Sequence, residues 1–203
     1  MERVTAYVDG FNLYFGLRSK GWRRYYWLNI AKLAQNLLKP QQQLVHTKYF
    51  TARVADPPAK VKRQTTYLEA LATLPDLSIF YGKYQHNRQR CRQCGFEDTI
   101  PHEKMSDVNI AVQLLIDAFE NRFDVALLIS ADSDLVPPVM EARRLFPAKR
   151  IIVVFPPNRR SNDLANVASA SFVLGRKKIE DSLFPPEVRK TDGFVLKCPQ
   201  EWR

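Results

Sequence analysis

Residues 125–136 read VALLISADSDLV. The first five are apolar without alternation, the form of a strand buried on both faces. A strand is covered on both faces when helices lie on each side, so the stretch points to a parallel sheet in an α/β fold. Asp132 and Asp134 follow at once. They stand at the carboxyl end of the strand, where open α/β sheets gather their ligand-binding groups.

The same arrangement opens the chain. Val4 to Val8 reads as a strand that ends at Asp9-Gly10, and Asn12 is placed to cap a short helix carrying Leu13 and Leu17. Further strands are expected at Leu44–Thr51, Leu77–Tyr84, Ile151–Phe155 and Phe172–Leu174. Between them fall helices from Asn29 to Leu38, Ala59 to Leu74, Pro137 to Phe146 and Ser161 to Val167. Ser106 is the expected cap of another, with Val108, Ala111, Val112, Leu115 and Ala118 on its apolar side. Strands alternating with helices predict a mostly parallel central sheet between two helical layers. Residues 85–105 are polar and Arg-rich and read as a loop inserted into a domain of residues 1–175. Residues 176–203, with Pro185, Pro186 and Pro199, read as a tail packed on that domain.

The composition suits this picture. An apolar fraction of 45% and a charged fraction of 26% are those of a soluble globular chain. No apolar run approaches the roughly 20 residues that span a bilayer, so no membrane partner is expected. The N-terminus runs directly into a strand without a signal-peptide layout, which predicts a cytoplasmic protein. Lys and Arg number 31 against 21 acids, a net charge of +10 that suits a polyanion such as RNA or DNA. The sequence also admits a homo-oligomer.

Against that basic background the acids are concentrated. Asp9, Asp132 and Asp134 close apolar strands, and Asp107 opens an amphipathic helix. Each has a bland explanation: Asp9 as turn chemistry before Gly10, Asp107 and Asp134 as favourable charges at helix starts. Brought together, however, carboxylates repel, and a cation is the economical remedy. Oxygen-only ligands select Mg²⁺ or Mn²⁺.

Three motifs now stand in order: VDGFNLYF (8–15), SDVNIAVQLL (106–115) and ISADSDLVPPV (129–139). Together they closely resemble the NYN domain, a family of PIN-like, metal-dependent ribonucleases that includes the LabA-like proteins of bacteria. The resemblance spans about Val4 to Leu174. It implies a PIN-like three-layer α/β/α sandwich and a cleft in which Asp9, Asp107, Asp132 and Asp134 bind Mg²⁺ or Mn²⁺ and carry catalysis. It implies supporting roles for Asn12, Ser130 and Ser133. It also makes single-stranded RNA the expected substrate, cut internally.

Phosphate contacts are expected from Arg159 and Arg160, which follow a strand at its carboxyl end, and from Lys104 ahead of the Asp107 helix. Trp22, Tyr25, Tyr26 and Trp27 read either as a base-stacking platform or as packing over the first helix. Cys91-Arg-Gln-Cys94-Gly95 has the form of a zinc knuckle, which His86 and His102 would complete as Cys₂His₂. The other reading of that segment is a pair of reduced thiols on an exposed loop. For the whole chain, the alternative to a nuclease is an RNA-binding or regulatory module with a vestigial site. A third reading, a DxD phosphatase, lacks its first DxD, because Asp9 is followed by Gly10-Phe11.

Overall fold

The computed structural model describes residues 1–90 and 94–203, with backbone alone over 84–90 and 97–103. In chain order the elements are β1 (Glu2–Asp9), α1 (Gly10–Ser19), a 3-10 turn at Arg23–Tyr25, α2 (Ile30–Asn36), β2 (Gln42–Thr51), α3 (Pro58–Leu71) and β3 (Leu77–Tyr81). Next come β4 (Lys83–Arg90), β5 (Glu97–Lys104), α4 (Ser106–Phe119), β6 (Val125–Ile129), a 3-10 turn at Ser133–Leu135 and α5 (Val136–Leu145). The chain closes with β7 (Arg150–Phe155), α6 (Asn162–Val167), β8 (Ala170–Val173), α7 (Arg176–Glu180), β9 (Glu187–Arg189) and β10 (Val195–Lys197), followed by a 3-10 turn at Gln200–Trp202.

Six strands form one parallel sheet in the order β3-β2-β1-β6-β7-β8. Alternation along β1 sets the two core layers. Val4, Ala6 and Val8 pack with Leu13, Leu17, Ile30, Leu33, Leu68 and Leu71, which places α1, α2 and α3 on one face. Tyr7 packs with Ile110, Leu114, Val139, Ala142 and Leu164, which places α4, α5 and α6 on the other. The result is the three-layer sandwich that the alternation of strands and helices predicts.

The inserted segment differs from the sequence reading. It is not a loop: β4 and β5 pair antiparallel as a hairpin with a small sheet of its own. Its sequence, KYQHNRQR and EDTIPHEK, shows no apolar alternation, so no period of two marks either strand. Helix α4 turns inward only part of the expected face: Ala118 is buried and Leu115 packs on the core, but Ile110 and Leu114 point inward in place of Val108 and Val112. Ile110, Leu114 and Ala118 are buried, whereas Val108, Val112, Ile116 and Phe119 are exposed. The helix is apolar on two sides, and periodicity alone cannot choose between them.

Helix α4 is fastened to the sheet by a buried ionic group. Lys48 Nζ lies 2.6 Å from Asp117 Oδ2. Tyr7 donates its hydroxyl to the same carboxylate at 2.6 Å, and Lys48 also donates to Gln113 at 2.7 Å. Burial and the Asp117 charge push the Tyr7 hydroxyl far above its ordinary range, so it stays a donor. The last residues pack on the α1–α3 layer. Trp27 donates its indole N–H to the Pro185 carbonyl at 2.8 Å, and Phe184, Leu196 and Cys198 join the same core. Among the described residues, no helix is long and apolar enough to cross a membrane.

Candidate functional site

The sheet has its switch point at β1. From there the chain builds outward through β2 and β3 on one side, then returns to build β6, β7 and β8 on the other. Such a reversal leaves a crevice at the carboxyl ends of the two strands that flank it. Asp9 is the last residue of β1, and Asp132 lies three residues beyond β6. Asp9 falls on the Tyr7 side of β1, the side that α4 covers, and Asp107 is the second residue of α4. Three stretches remote in sequence therefore converge. One carboxylate oxygen from each of Asp9, Asp107 and Asp132 lies within 4.8 Å of the other two. Asp9 is buried, and the others are half-buried.

Short hydrogen bonds hold this group in place. Asp9 Oδ1 accepts from the Asn12 amide at 2.9 Å and thereby caps α1. Its Oδ2 accepts from the Ser130 hydroxyl at 2.9 Å. Ser130 Oγ in turn accepts from the Asp132 amide at 3.1 Å. The Asn12 side-chain oxygen accepts from the Ala131 amide at 3.2 Å and ties α1 to the loop after β6. Asp132 Oδ1 accepts from the Asp134 amide at 3.0 Å and caps the 3-10 turn. The Asp9 and Asp132 carboxylates are thus oriented from outside the cluster, the usual role of partners around a metal site.

The residues present fit a divalent cation. Oxygens on one octahedral Mg²⁺ lie at most about 4.2 Å apart. Three oxygens on one such ion include at least two adjacent pairs only about 3 Å apart, so carboxylates within 4.8 Å of one another hold it after rotating inward. All three donors are oxygens, the set that hard cations select.

The other sequence candidates fall around this centre. Asp134 is exposed and stands outside the three-carboxylate group. Ser133 is exposed at the start of the 3-10 turn. Arg159 and Arg160 are exposed in the turn after β7, on the sheet edge that carries the acids, with the Arg160 guanidinium 5.9 Å from the Phe155 ring centre. Ser161 caps the helix behind them. Lys104 is exposed at the end of β5, ahead of α4. Of the zinc set, Cys91 and the side chains of His86 and His102 lie outside the described residues, and Cys94 is exposed. Among the aromatic candidates, Tyr25 and Trp27 are buried in the core and are not a stacking surface.

Two features went unread in the sequence. Asn12 is not the cap of α1; Asp9 is, because strand and helix join without a loop. Gly10 is required by space: a Cβ there would meet the Tyr49 hydroxyl at 2.5 Å and the Phe50 carbonyl at 2.8 Å. An Asp-Gly pair after an apolar run is the available signal for both, and it reads equally well as a turn.

Comparisons with known proteins bear on the family and the fold. The chain is 28% identical over 198 residues to 6-hydroxy-3-succinoylpyridine 3-monooxygenase HspA of Pseudomonas putida, a match covering 79% of this chain and 62% of that one. The chain therefore spans about three-fifths of that relative's length. A crystal structure of a Vibrio parahaemolyticus protein of unknown function superposes with a TM-score of 0.56 at 19% identity, covering 90% of this chain and 96% of that one. That likeness concerns the fold. The NYN domain family model matches residues 3–175, which include all of β1 but Glu2, α4, β6 and all three clustered acids. The chain belongs to the NYN domain family, a PIN-like nuclease family.

Proposed function

We propose that the chain is a metal-dependent endoribonuclease that hydrolyses phosphodiester bonds in single-stranded RNA. Asp9, Asp107 and Asp132 would hold Mg²⁺ or Mn²⁺. The observation that carries this reading is the convergence of three carboxylates within 4.8 Å at the sheet's switch point. A divalent cation bound there would polarise a phosphate oxygen and lower the pKa of a water.

The chain's own residues do the rest. Asn12 and Ser130 fix the direction of Asp9, which limits the reorganisation needed on binding. Arg159, Arg160 and Lys104 stand exposed on the acid-bearing side to bind flanking phosphates, and the net charge of +10 draws the polyanion in.

A labelled single-stranded RNA incubated with the protein and Mn²⁺ or Mg²⁺, and again with EDTA, tests this directly. Cleavage should require metal, and Asp9→Asn and Asp132→Asn should each lower it by at least about 100-fold. Cleavage at the wild-type rate in either folded variant overturns the assignment. Metal-independent RNA binding without turnover identifies the binding module with a vestigial site instead. The name of the Pseudomonas relative supports a second reading, oxygen insertion into a heteroaromatic ring. In that case the RNA assay is blank, and the protein consumes oxygen on such a substrate when a reductant is supplied.

A further inference from the structure

A cavity of about 500 Å³ opens on the α1–α3 side of the sheet, at the start of α1. It has the size of ligand sites, roughly 300–1,000 Å³. Gly10 and Phe11, which follow Asp9 in the chain, line it. Its deeper walls are aromatic: Tyr14, Tyr26, Tyr67 and Trp202. The Trp202 ring stands nearly perpendicular to Tyr26 and Tyr67, with centroids 5.7 and 6.1 Å away. Such walls favour a flat, apolar-faced guest.

The rim is cationic. Arg18, Arg23, Lys60 and Arg63 all line the cavity. Arg63 is engaged by Glu201 at 2.8 Å. Among the described residues, Arg18, Arg23 and Lys60 enter no ion pair. Burial and Tyr14 push the Tyr26 hydroxyl up, and the Arg23 and Arg18 charges draw it back down, so both guanidinium groups are close to the aromatic wall. A mere packing seam for the tail would not gather three unpaired cations around open volume. A planar guest with an anionic group satisfies both halves of the lining.

We infer that this cavity is a subsite for one unpaired nucleobase of the substrate strand, with its phosphate on Arg18 and Arg23. The inference rests on the nuclease reading for the identity of the strand. Trp202 lies beyond the 3–175 family match, so the tail of this chain builds the base-binding wall.

Binding without metal or turnover tests it. The full-length protein in EDTA is titrated by calorimetry with adenosine and uridine 5′-monophosphates, ribose 5-phosphate and inorganic phosphate. The monophosphates should bind at least tenfold tighter than ribose 5-phosphate. Trp202→Ala should reduce that preference to less than threefold. Because Trp202 also packs in the core, the exposed variants Arg18→Gln and Arg23→Gln provide a second arm. Each should weaken nucleotide binding by about tenfold at low salt and less at high salt. Equal affinity for nucleotide and ribose 5-phosphate, or nucleotide binding unchanged in both arginine variants, overturns the inference. RNA cleavage with no nucleotide binding sinks the subsite and spares the nuclease. Nucleotide binding with no cleavage does the reverse.

Discussion

Replacing Asp132 by Asn should stabilise the metal-free protein while removing its response to metal. At an effective dielectric constant of about 20, two full charges 4.8 Å apart repel by about 3.5 kcal/mol. The Asp9–Asp132 pair carries this cost without a cation between them. Solvent screening at half-exposed Asp132 and the hydrogen bonds that Asp9 accepts from Asn12 and Ser130 reduce the recoverable part to about 1–2 kcal/mol. Asn keeps the carbonyl oxygen that caps the Ser133–Leu135 turn, so the cap itself survives the change. In a chain of 203 residues each kcal/mol moves Tm by roughly 2–4 °C. Thermal unfolding in EDTA should therefore show the variant about 2–8 °C above wild type. Mn²⁺ at 100 times its Kd should add about 2.7 kcal/mol to wild type and far less to the variant. A variant less stable than wild type in EDTA, or a wild type whose Tm ignores Mn²⁺, refutes the reasoning. Either result would mean that the three carboxylates are not held together at a cost which a cation relieves.

Gly10→Ala should destabilise by about 1–3 kcal/mol, because the new Cβ meets the Phe50 carbonyl, which is backbone and cannot swing aside; urea denaturation at wild-type midpoint would disprove the close approach. Asp117→Asn leaves the Lys48 ammonium buried without its carboxylate and should cost about 3–5 kcal/mol by the same measurement. The Arg3 guanidinium and amide hold Asp124 down to about 2, below its ordinary 3.8. A depressed folded pKa gives stability that is complete above about pH 4 and is lost as pH falls toward 2. Asp124→Asn should accordingly cost about 1 kcal/mol or less at pH 7, since the pair is well exposed. The gap from wild type should narrow steadily below pH 4, and a gap that stays constant from pH 7 to pH 3 would contradict it.

What could be read in advance follows from where the apolar residues sit. Val125–Ile129 is buried at every position, so its sequence is apolar throughout and identifies itself as a covered strand. KYQHNRQR and EDTIPHEK carry no apolar alternation, so the antiparallel pair β4–β5 has no period of two to distinguish it from a loop. Helix α4 carries apolar residues on the buried side and again at Val108, Val112, Ile116 and Phe119. Which side faces the sheet is settled by Asp117, whose partners Lys48 and Tyr7 come from β2 and β1. That pairing joins residues remote in sequence and leaves no local trace.

The acids show the same division. Asp9, Asp107, Asp132 and Asp134 were conspicuous because each stands against apolar sequence in a basic chain. Which of them meet is a matter of topology and of one turn. Asp132 bends its own chain by accepting from the Asp134 amide, and the residue two positions on is left exposed while Asp132 enters the cluster. Asp107 arrives from across the β4–β5 hairpin, directed by Met105 in the left-handed region (φ 81°). Few non-glycine residues adopt that conformation. The orienting groups Asn12 and Ser130 act through two bonds that span 119 and 121 residues of chain. Residue types thus show where charge has been concentrated against the grain of a sequence. The sheet order, with β1 between β2 and β6, decides which of those charges share a crevice.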